Sequence, residues 1–323
     1  MSKVIDSQFK AAPWLKSPHL QTIWPALMRV KKDFQVEWER VELRDGDFID
    51  LAWHRTNGPL VMLIHGLEGS LQSHYAVPML EALKQAGFNT VFMHLRGCGR
   101  EPNRLSRSYH SGATEDLVEV LEYLDQRGEK PSAAIGVSLG GNLLLKHLGE
   151  TGRKSSLSAA VAVSVPFHLD QTAEHLQHGA ARIYQKYLLD KLIASYRRKF
   201  AGRPVPFDVK ISSIDSIYTF DDLLTAPLNG FKDADDYYQR CSCIGFLNTI
   251  ETPTLILQAK DDPFMPSDVI PSQAQLGPDV TLELSQHGGH VGFINGKYPW
   301  RLNYWLESRI PRFIRQQLKK ESP

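Results

Sequence analysis

From Gln35 the chain reads with a period of two: Val36, Trp38, Arg40 and Glu42 interleave with Glu37, Glu39, Val41 and Leu43. Arg44-Asp45-Gly46-Asp47 is a turn signal, and an extended pattern resumes over 48–53, so the segment predicts a hairpin. After Gly58-Pro59 comes the unbroken apolar run Leu60-Val61-Met62-Leu63-Ile64. Such a run predicts a strand buried on both faces, as in a parallel sheet covered by helices. The alternation then becomes regular. Helical patterns fall at 75–85, 114–124, 140–148 and 305–318, the last carrying Leu306, Ile310, Phe313 and Ile314 with Pro311 as a candidate kink. Strand patterns fall at 89–93, 132–137, 157–165, 254–259 and 280–284. Strand, helix, strand in this order predicts an α/β chain with a doubly wound, mostly parallel sheet.

Two segments stand outside that alternation. Residues 166–249 hold helical patterns and no strand pattern, so they predict a helical cap inserted into a core built from 35–165 and 250–323. Residues 1–34 predict an arm packed on that core. Its prolines, Pro13, Pro18 and Pro25, argue against a long helix, and Trp14 and Trp24 are its natural anchors; lining the entrance to a site is the alternative role. In the cap, Arg182, Lys186, Lys191, Arg197, Arg198, Lys199 and Arg203 face the single acid Asp190. The plain expectation is a solvated helix face; the alternative is a surface that draws anionic ligands or lipid headgroups. No internal repeat or low-complexity segment is evident.

Composition narrows the classes. The 323 residues are 42% hydrophobic and 23% charged, which excludes a disordered, collagen-like or coiled-coil chain. Lys plus Arg number 37 and Asp plus Glu 36, a net charge of +1 that gives no global reason to expect nucleic acid. Three cysteines, Cys98, Cys241 and Cys243, are too few for a disulfide scaffold, and the expected compartment is the cytoplasm. Cys241-Ser-Cys243 has no second cysteine pair with which to hold a metal. The amino-terminal residues do not read as a secretory signal, and no run approaches the roughly 18 apolar residues of a membrane span. Any membrane contact is expected to be peripheral.

The strongest chemical signal is Gly136-Val137-Ser138-Leu139-Gly140-Gly141, a G-x-S-x-G pattern directly after an apolar strand and directly before a helix. A strand that turns sharply into a helix leaves no room for side chains at Gly136 and Gly140, and lifts the Ser138 hydroxyl out of the sheet edge. A serine nucleophile needs a base, and the base an orienting acid. Parallel strands collect sites at their carboxyl ends. The strand at 254–259 is followed by Asp261-Asp262-Pro263, with Asp262 preferred to Asp261. The strand at 280–284 is followed by His287-Gly288-Gly289-His290, with His290 as base and His287 as rival. A zinc reading of the two histidines lacks a third ligand and a helix to carry them. The oxyanion donors are expected from the backbone of Leu139 and of Leu67, with Glu68 as alternative. His65 suits loop structuring. The loop at 95–100 lacks the lysine and Ser/Thr of a phosphate cradle, so Arg96 is expected to tie loops together.

These residues resemble the α/β-hydrolase superfamily, and within it the YheT-type esterases, a bacterial and eukaryotic subfamily. The likeness is carried by Pro18-His19-Leu20-Gln21-Thr22, His65-Gly66-Leu67-Glu68-Gly69-Ser70, Gly136-Val137-Ser138-Leu139-Gly140-Gly141, Asp261-Asp262-Pro263 and Gly289-His290, and covers about residues 14–309. The resemblance implies an α/β-hydrolase fold and a triad of Ser138, Asp262 and His290. It also implies a substrate among carboxylic esters, with relatives acting on medium acyl chains or phospholipids. Several such relatives carry an amino-terminal membrane anchor; none reads from this sequence.

The expected activity is thus a serine esterase working through an acyl-enzyme on a small-molecule ester or lipid-like substrate, with no cofactor, metal or nucleic acid. Phe167, Tyr184, Tyr187, Phe220, Tyr237 and Tyr238 are candidate walls of an apolar pocket. An acyltransferase, thioesterase, lipid hydrolase or peptidase would use the same parts. A non-catalytic binder of apolar ligands is the reading from another class. The number of subunits is not legible.

Overall fold

The computed structural model describes residues 3–29 and 34–321. The ends of the expected arm, 1–2 and 30–34, therefore lie outside the described residues except for Phe34. A nine-stranded sheet runs through the molecule in the order β1-β9-β8-β7-β6-β4-β5-β3-β2. Its centre is parallel: β4 (Leu60–Ile64), β5 (Asn89–Met93), β6 (Ala133–Val137), β7 (Ala159–Val163), β8 (Thr254–Ala259) and β9 (Val280–Ser285). Every residue of β4, β6, β7 and β8 is buried, which is what continuous apolar runs require. The hairpin of β2 (Glu37–Glu42) and β3 (Phe48–His54) adds two antiparallel strands at the β5 edge.

Helices cover both faces. On one, α3 (Thr114–Gln126) and α4 (Leu139–Thr151) bury Leu117, Val120, Leu143 and Leu144. On the other, α2 (Ala76–Gln85) and α10 (Leu306–Glu321) bury Leu80, Leu83, Ile310 and Ile314. Between β7 and β8 the chain leaves the sheet and builds the helical cap: α5 (Leu169–Leu176), α6 (Arg182–Lys199), α7 (Ile217–Phe220), α8 (Ala226–Leu228) and α9 (Ala234–Cys241). The cap has an apolar cluster of its own around Leu188, Leu192, Phe220 and Leu224, and Ile23, Leu67 and Phe264 of the body pack against it.

Three elements were not anticipated. β1 (Lys3–Asp6) pairs in parallel with β9 at the sheet edge. A two-stranded ribbon, β10 (Ile294–Tyr298) with β11 (Arg301–Tyr304), precedes α10. The proline-rich arm forms α1 (Pro18–Met28), against the expectation that its prolines break it. Pro18 sits at the first turn, where no amide is needed, behind the N-cap Ser17. Pro25 removes only the bond to the Gln21 carbonyl, which lies on Gly292 of the neighbouring loop. Among the described residues, no helix is long and apolar enough to cross a membrane.

Candidate active site

The turn from β6 into α4 has no space to spare. A Cβ on Gly136 would lie 2.3 Å from the Gly140 carbonyl oxygen, and one on Gly140 would lie 2.4 Å from that of His65. Ser138 between them is held at φ 53°, a conformation that non-glycine residues adopt only under constraint. The backbone enforces it: the Ser138 N–H donates to the Val163 carbonyl (2.8 Å), while its own carbonyl accepts from Gly141 and Asn142.

The expected partners converge on this serine. The Ser138 hydroxyl lies 3.1 Å from His290 Nε2, and His290 Nδ1 lies 2.9 Å from Asp262 Oδ2. Asp262 is buried, and its second oxygen accepts the Phe264 N–H (2.9 Å), so the carboxylate is fixed at both ends. With the carboxylate at Nδ1, the imidazole carries its proton there and presents Nε2 as acceptor to the serine. Phe264 stacks on the imidazole at 3.8 Å between ring centres, and the two planes differ by 5°. The rival residues form a pair of their own: Asp261 Oδ2 is 3.1 Å from His287 Nδ1, and its Oδ1 accepts the Gly289 N–H. The two adjacent acids thus have separate partners.

The loop after β4 carries a selection that the sequence did not show. The Gly66 N–H donates to the Tyr75 hydroxyl (2.9 Å), and the Glu68 N–H donates to the Tyr109 hydroxyl (2.8 Å), which in turn donates to Glu68 Oε1 (2.9 Å). Leu67 lies between two amides that are already engaged. Among the described residues neither its N–H nor that of Leu139 at the start of α4 meets an acceptor. The Glu68 N–H, the alternative donor, is thus already engaged. His65 is fully buried; its Nε2 accepts the Leu95 N–H (2.9 Å), so Nδ1 donates to the Gly66 carbonyl (2.7 Å). Burial, with His94 nearby, lowers its pKa to about 3, which keeps it a neutral strut. Arg96 ties its loop to others by ion pairs with Asp45, Asp47 and Asp116.

The arm does more than pack. Trp14 and Trp24 anchor it edge to face, but its Thr22 hydroxyl accepts the His290 N–H (2.9 Å) and donates to the Pro18 carbonyl (2.8 Å). Gln21, also buried, binds both backbone groups of Ile294 and the Leu15 carbonyl. The histidine loop answers with Gly289, at φ 58°, and Gly292: a Cβ on them would lie 2.5 Å from the Pro18 carbonyl and 2.2 Å from that of Gln21. The Pro18–Thr22 motif and the Gly289–His290 motif are thus two sides of one joint.

A cavity of about 730 Å³ opens above Ser138 and His290. Its walls come from α1, the loops after β4 and β6, and the cap. Of the aromatic candidates, Tyr184, Tyr187, Tyr237 and Tyr238 line it. Phe167 is sunk in the main core, and Phe220 belongs to the cap's own cluster. The walls are mostly apolar, but Asp221, in a π-helical turn over Asp221–Thr225, is an exception. Burial raises its pKa to about 6, and its carboxyl accepts from Tyr238 Oη (2.7 Å). Among the described residues no group of three or more His, Cys, Asp or Glu is placed to hold a metal ion.

Comparisons with known proteins agree with this architecture. Residues 59–297 match the family model described as alpha/beta hydrolase fold. The chain is 46% identical over 315 residues to the YheT protein of Escherichia coli (strain K12), whose name assigns it to the esterases, covering 94% of this chain and 92% of that one. That degree of likeness shows close homology to the YheT-type esterases. Phospholipase ABHD3 of Mus musculus is 30% identical over 332 residues, covering 98% of this chain and 80% of its own. The esterase Pf2001 of Pyrococcus furiosus shares the fold at a TM-score of 0.56 and 19% identity, over 89% of this chain and 98% of that one.

Proposed function

The chain belongs to the α/β-hydrolase family, and on that premise we propose that it is a serine esterase with Ser138 as nucleophile, His290 as general base and Asp262 as the orienting acid. One observation carries the reading: the unbroken line Ser138 Oγ, His290 Nε2, His290 Nδ1, Asp262 Oδ2, with links of 3.1 and 2.9 Å, at the floor of a large apolar cavity.

In the first half-reaction His290 takes the Ser138 proton as the oxygen attacks the ester carbonyl carbon. The negative charge that develops on the carbonyl oxygen is held by the N–H groups of Leu67 and Leu139. The tetrahedral species collapses with cleavage of the carbon–alkoxy bond. The alcohol departs with the proton from His290, leaving the acyl group on Ser138. Water then attacks the acyl-enzyme, gives its proton to His290, and the acid is released as Ser138 regains its hydrogen. Asp262 stabilises the imidazolium formed in both halves. An alcohol in place of water would make this a transferase with the same parts.

The substrate class follows from the cavity and from the relatives. About 730 Å³ with mostly apolar walls accommodates a short- to medium-chain acyl ester or a lipid-like ester. The phospholipase name of one relative supports the lipid-like end of that range. The test is turnover of a p-nitrophenyl ester series from short to long acyl chains, with Ser138→Ala as blank. Turnover absent from the blank and peaked at one chain length supports the reading. A series in which wild type and Ser138→Ala are equal removes it.

A further inference from the structure

The mouth of the cavity has a chemical character of its own. Leu27, Ile183 and Tyr187 all line the cavity, yet they are 75%, 68% and 57% exposed, so they stand at its rim. Leu27 is on α1 and the other two are on α6; stacking of His19 on Tyr184 and a 2.9 Å hydrogen bond join the helices. Two further apolar side chains on α1, Leu20 and Met28, are 48% and 60% exposed without lining the cavity. A soluble ester does not account for them. α1 contains no acidic residue.

The exposed side of α6 is amphipathic in its own right. At 100° per residue, Ile183, Tyr187 and Ala194 run along its middle. Arg182, Lys186, Lys191 and Arg197 are exposed along it, and the one acid, Asp190, is already bridged to Lys186. The rest of the basic stretch is otherwise engaged: Arg198 donates to the Gly97 carbonyl, Lys199 to that of Arg107 and Arg203 to that of Asn103. Apolar side chains in the middle of a convex face, with cations on stems long enough to reach past them, match an anionic lipid surface. A second copy of the chain would fit less well, since a twofold contact would set these cations against each other.

We propose that α1 and α6 together dock the protein on an anionic lipid surface, with the mouth of the cavity turned toward the lipid. Docking does not depend on turnover, so it stands or falls separately from the esterase reading, which only adds that lipid esters enter through this mouth.

The test is flotation of the full chain with phosphatidylcholine vesicles and with vesicles containing about 30% phosphatidylglycerol, at low and high salt. Partition onto the anionic vesicles is expected to be about tenfold stronger, and to weaken as salt rises. Met28→Glu and Arg197→Glu, neither of which lines the cavity, should each weaken it about fivefold. Turnover of a short soluble ester and the melting temperature should stay near wild type. Should either variant melt early, Arg182→Glu, also exposed and outside the cavity lining, takes its place. Equal binding to the two vesicle types, no binding to either, or binding indifferent to these substitutions would overturn the proposal. So would lipid-free self-association that Met28→Glu abolishes, which would assign the face to a second copy.

Discussion

At the scale of single residues, the loop after β4 turns on two hydroxyls. Tyr75 and Tyr109 take up the N–H groups on either side of Leu67, and Tyr109 also holds the Glu68 carboxyl while that residue sits at φ 49°. Burial raises the Glu68 pKa, against the hydrogen bond from Tyr109. Both hydroxyls act on the backbone of this loop, so both are positioning residues. Tyr109→Phe would leave the Glu68 N–H without its acceptor and free a strained turn to relax. The expected result is a fall in kcat of about tenfold, with KM within about twofold, because the donor is misplaced for the oxyanion more than for the ground-state ester. A proportional rise in KM would mean that Tyr109 only shapes the pocket. The adjacent acids are separable by the same logic. Asp262→Asn removes the charge that fixes the His290 tautomer and should lower kcat by about 10³-fold or more. Asp261→Asn, whose partners are His287 and the Gly289 amide, should stay within about threefold. If the two effects are reversed under steady-state assay, the acid has been misassigned.

At the scale of elements, what was legible in the sequence depended on how local its cause is. β4, β6, β7 and β8 announce themselves as unbroken apolar runs because both faces of each are covered, and the serine turn announces itself through glycines that have no room for a Cβ. α1 does not. Its partners on the histidine loop lie 268 and 273 residues away, and its two prolines read as breakers until their positions in the helix are known. β1 is four residues long and mostly exposed, so it has no alternation to detect. The ribbon of β10 and β11 hid for a different reason: its register shifts between Asn295 and Tyr298, which interrupts the period of two. The motif Pro18–Thr22 was recognisable as a family trait before it was interpretable as a joint. Gln21→Leu tests that joint. It leaves the Leu15 carbonyl and the Ile294 N–H without their partner in a dry place, while the Ile294 carbonyl keeps the Ala12 N–H, and should lower stability by about 2 kcal/mol. Urea unfolding reads this directly; a loss below about 0.5 kcal/mol would mean that water or a neighbour replaces the amide.

At the scale of the whole molecule, the buried histidines set how the fold responds to acid. Burial lowers the pKa of His65 to about 3 and those of His74, His94, His110 and His147 to about 4, each from an ordinary 6.5. A histidine whose folded pKa is depressed contributes its full stability above the unfolded value of 6.5 and loses it as pH falls toward the folded value. Between about pH 6 and pH 5 the unfolded chain therefore binds up to five protons that the folded chain refuses. Asp221 acts in the opposite sense. Its folded pKa is raised to about 6 from 3.8, so near pH 5 the folded chain holds a proton that the unfolded chain has released, and one of the five is offset. Burial also raises Glu68, Asp116 and Asp261, which offset the histidines further, so the net is at most about four protons and the slope near pH 5 at most about 5 kcal/mol per pH unit. That bound is a large share of what most domains have to lose, since total stability is about 5–15 kcal/mol. The expected outcome is a urea midpoint that declines mildly from pH 8 to 7, as buried Lys199, lowered to about 7, takes up its proton, then falls more steeply below about pH 6.5. Turnover would report on the proposed site as well as on the fold. The measurement therefore belongs on Ser138→Ala, followed by circular dichroism in the absence of substrate. A flat midpoint from pH 7.5 to pH 5 would mean that the five histidines charge inside the fold with little penalty. The packing around His65, which stacks on Phe92 and has both ring nitrogens engaged by backbone groups, leaves no place for the water such charging would need.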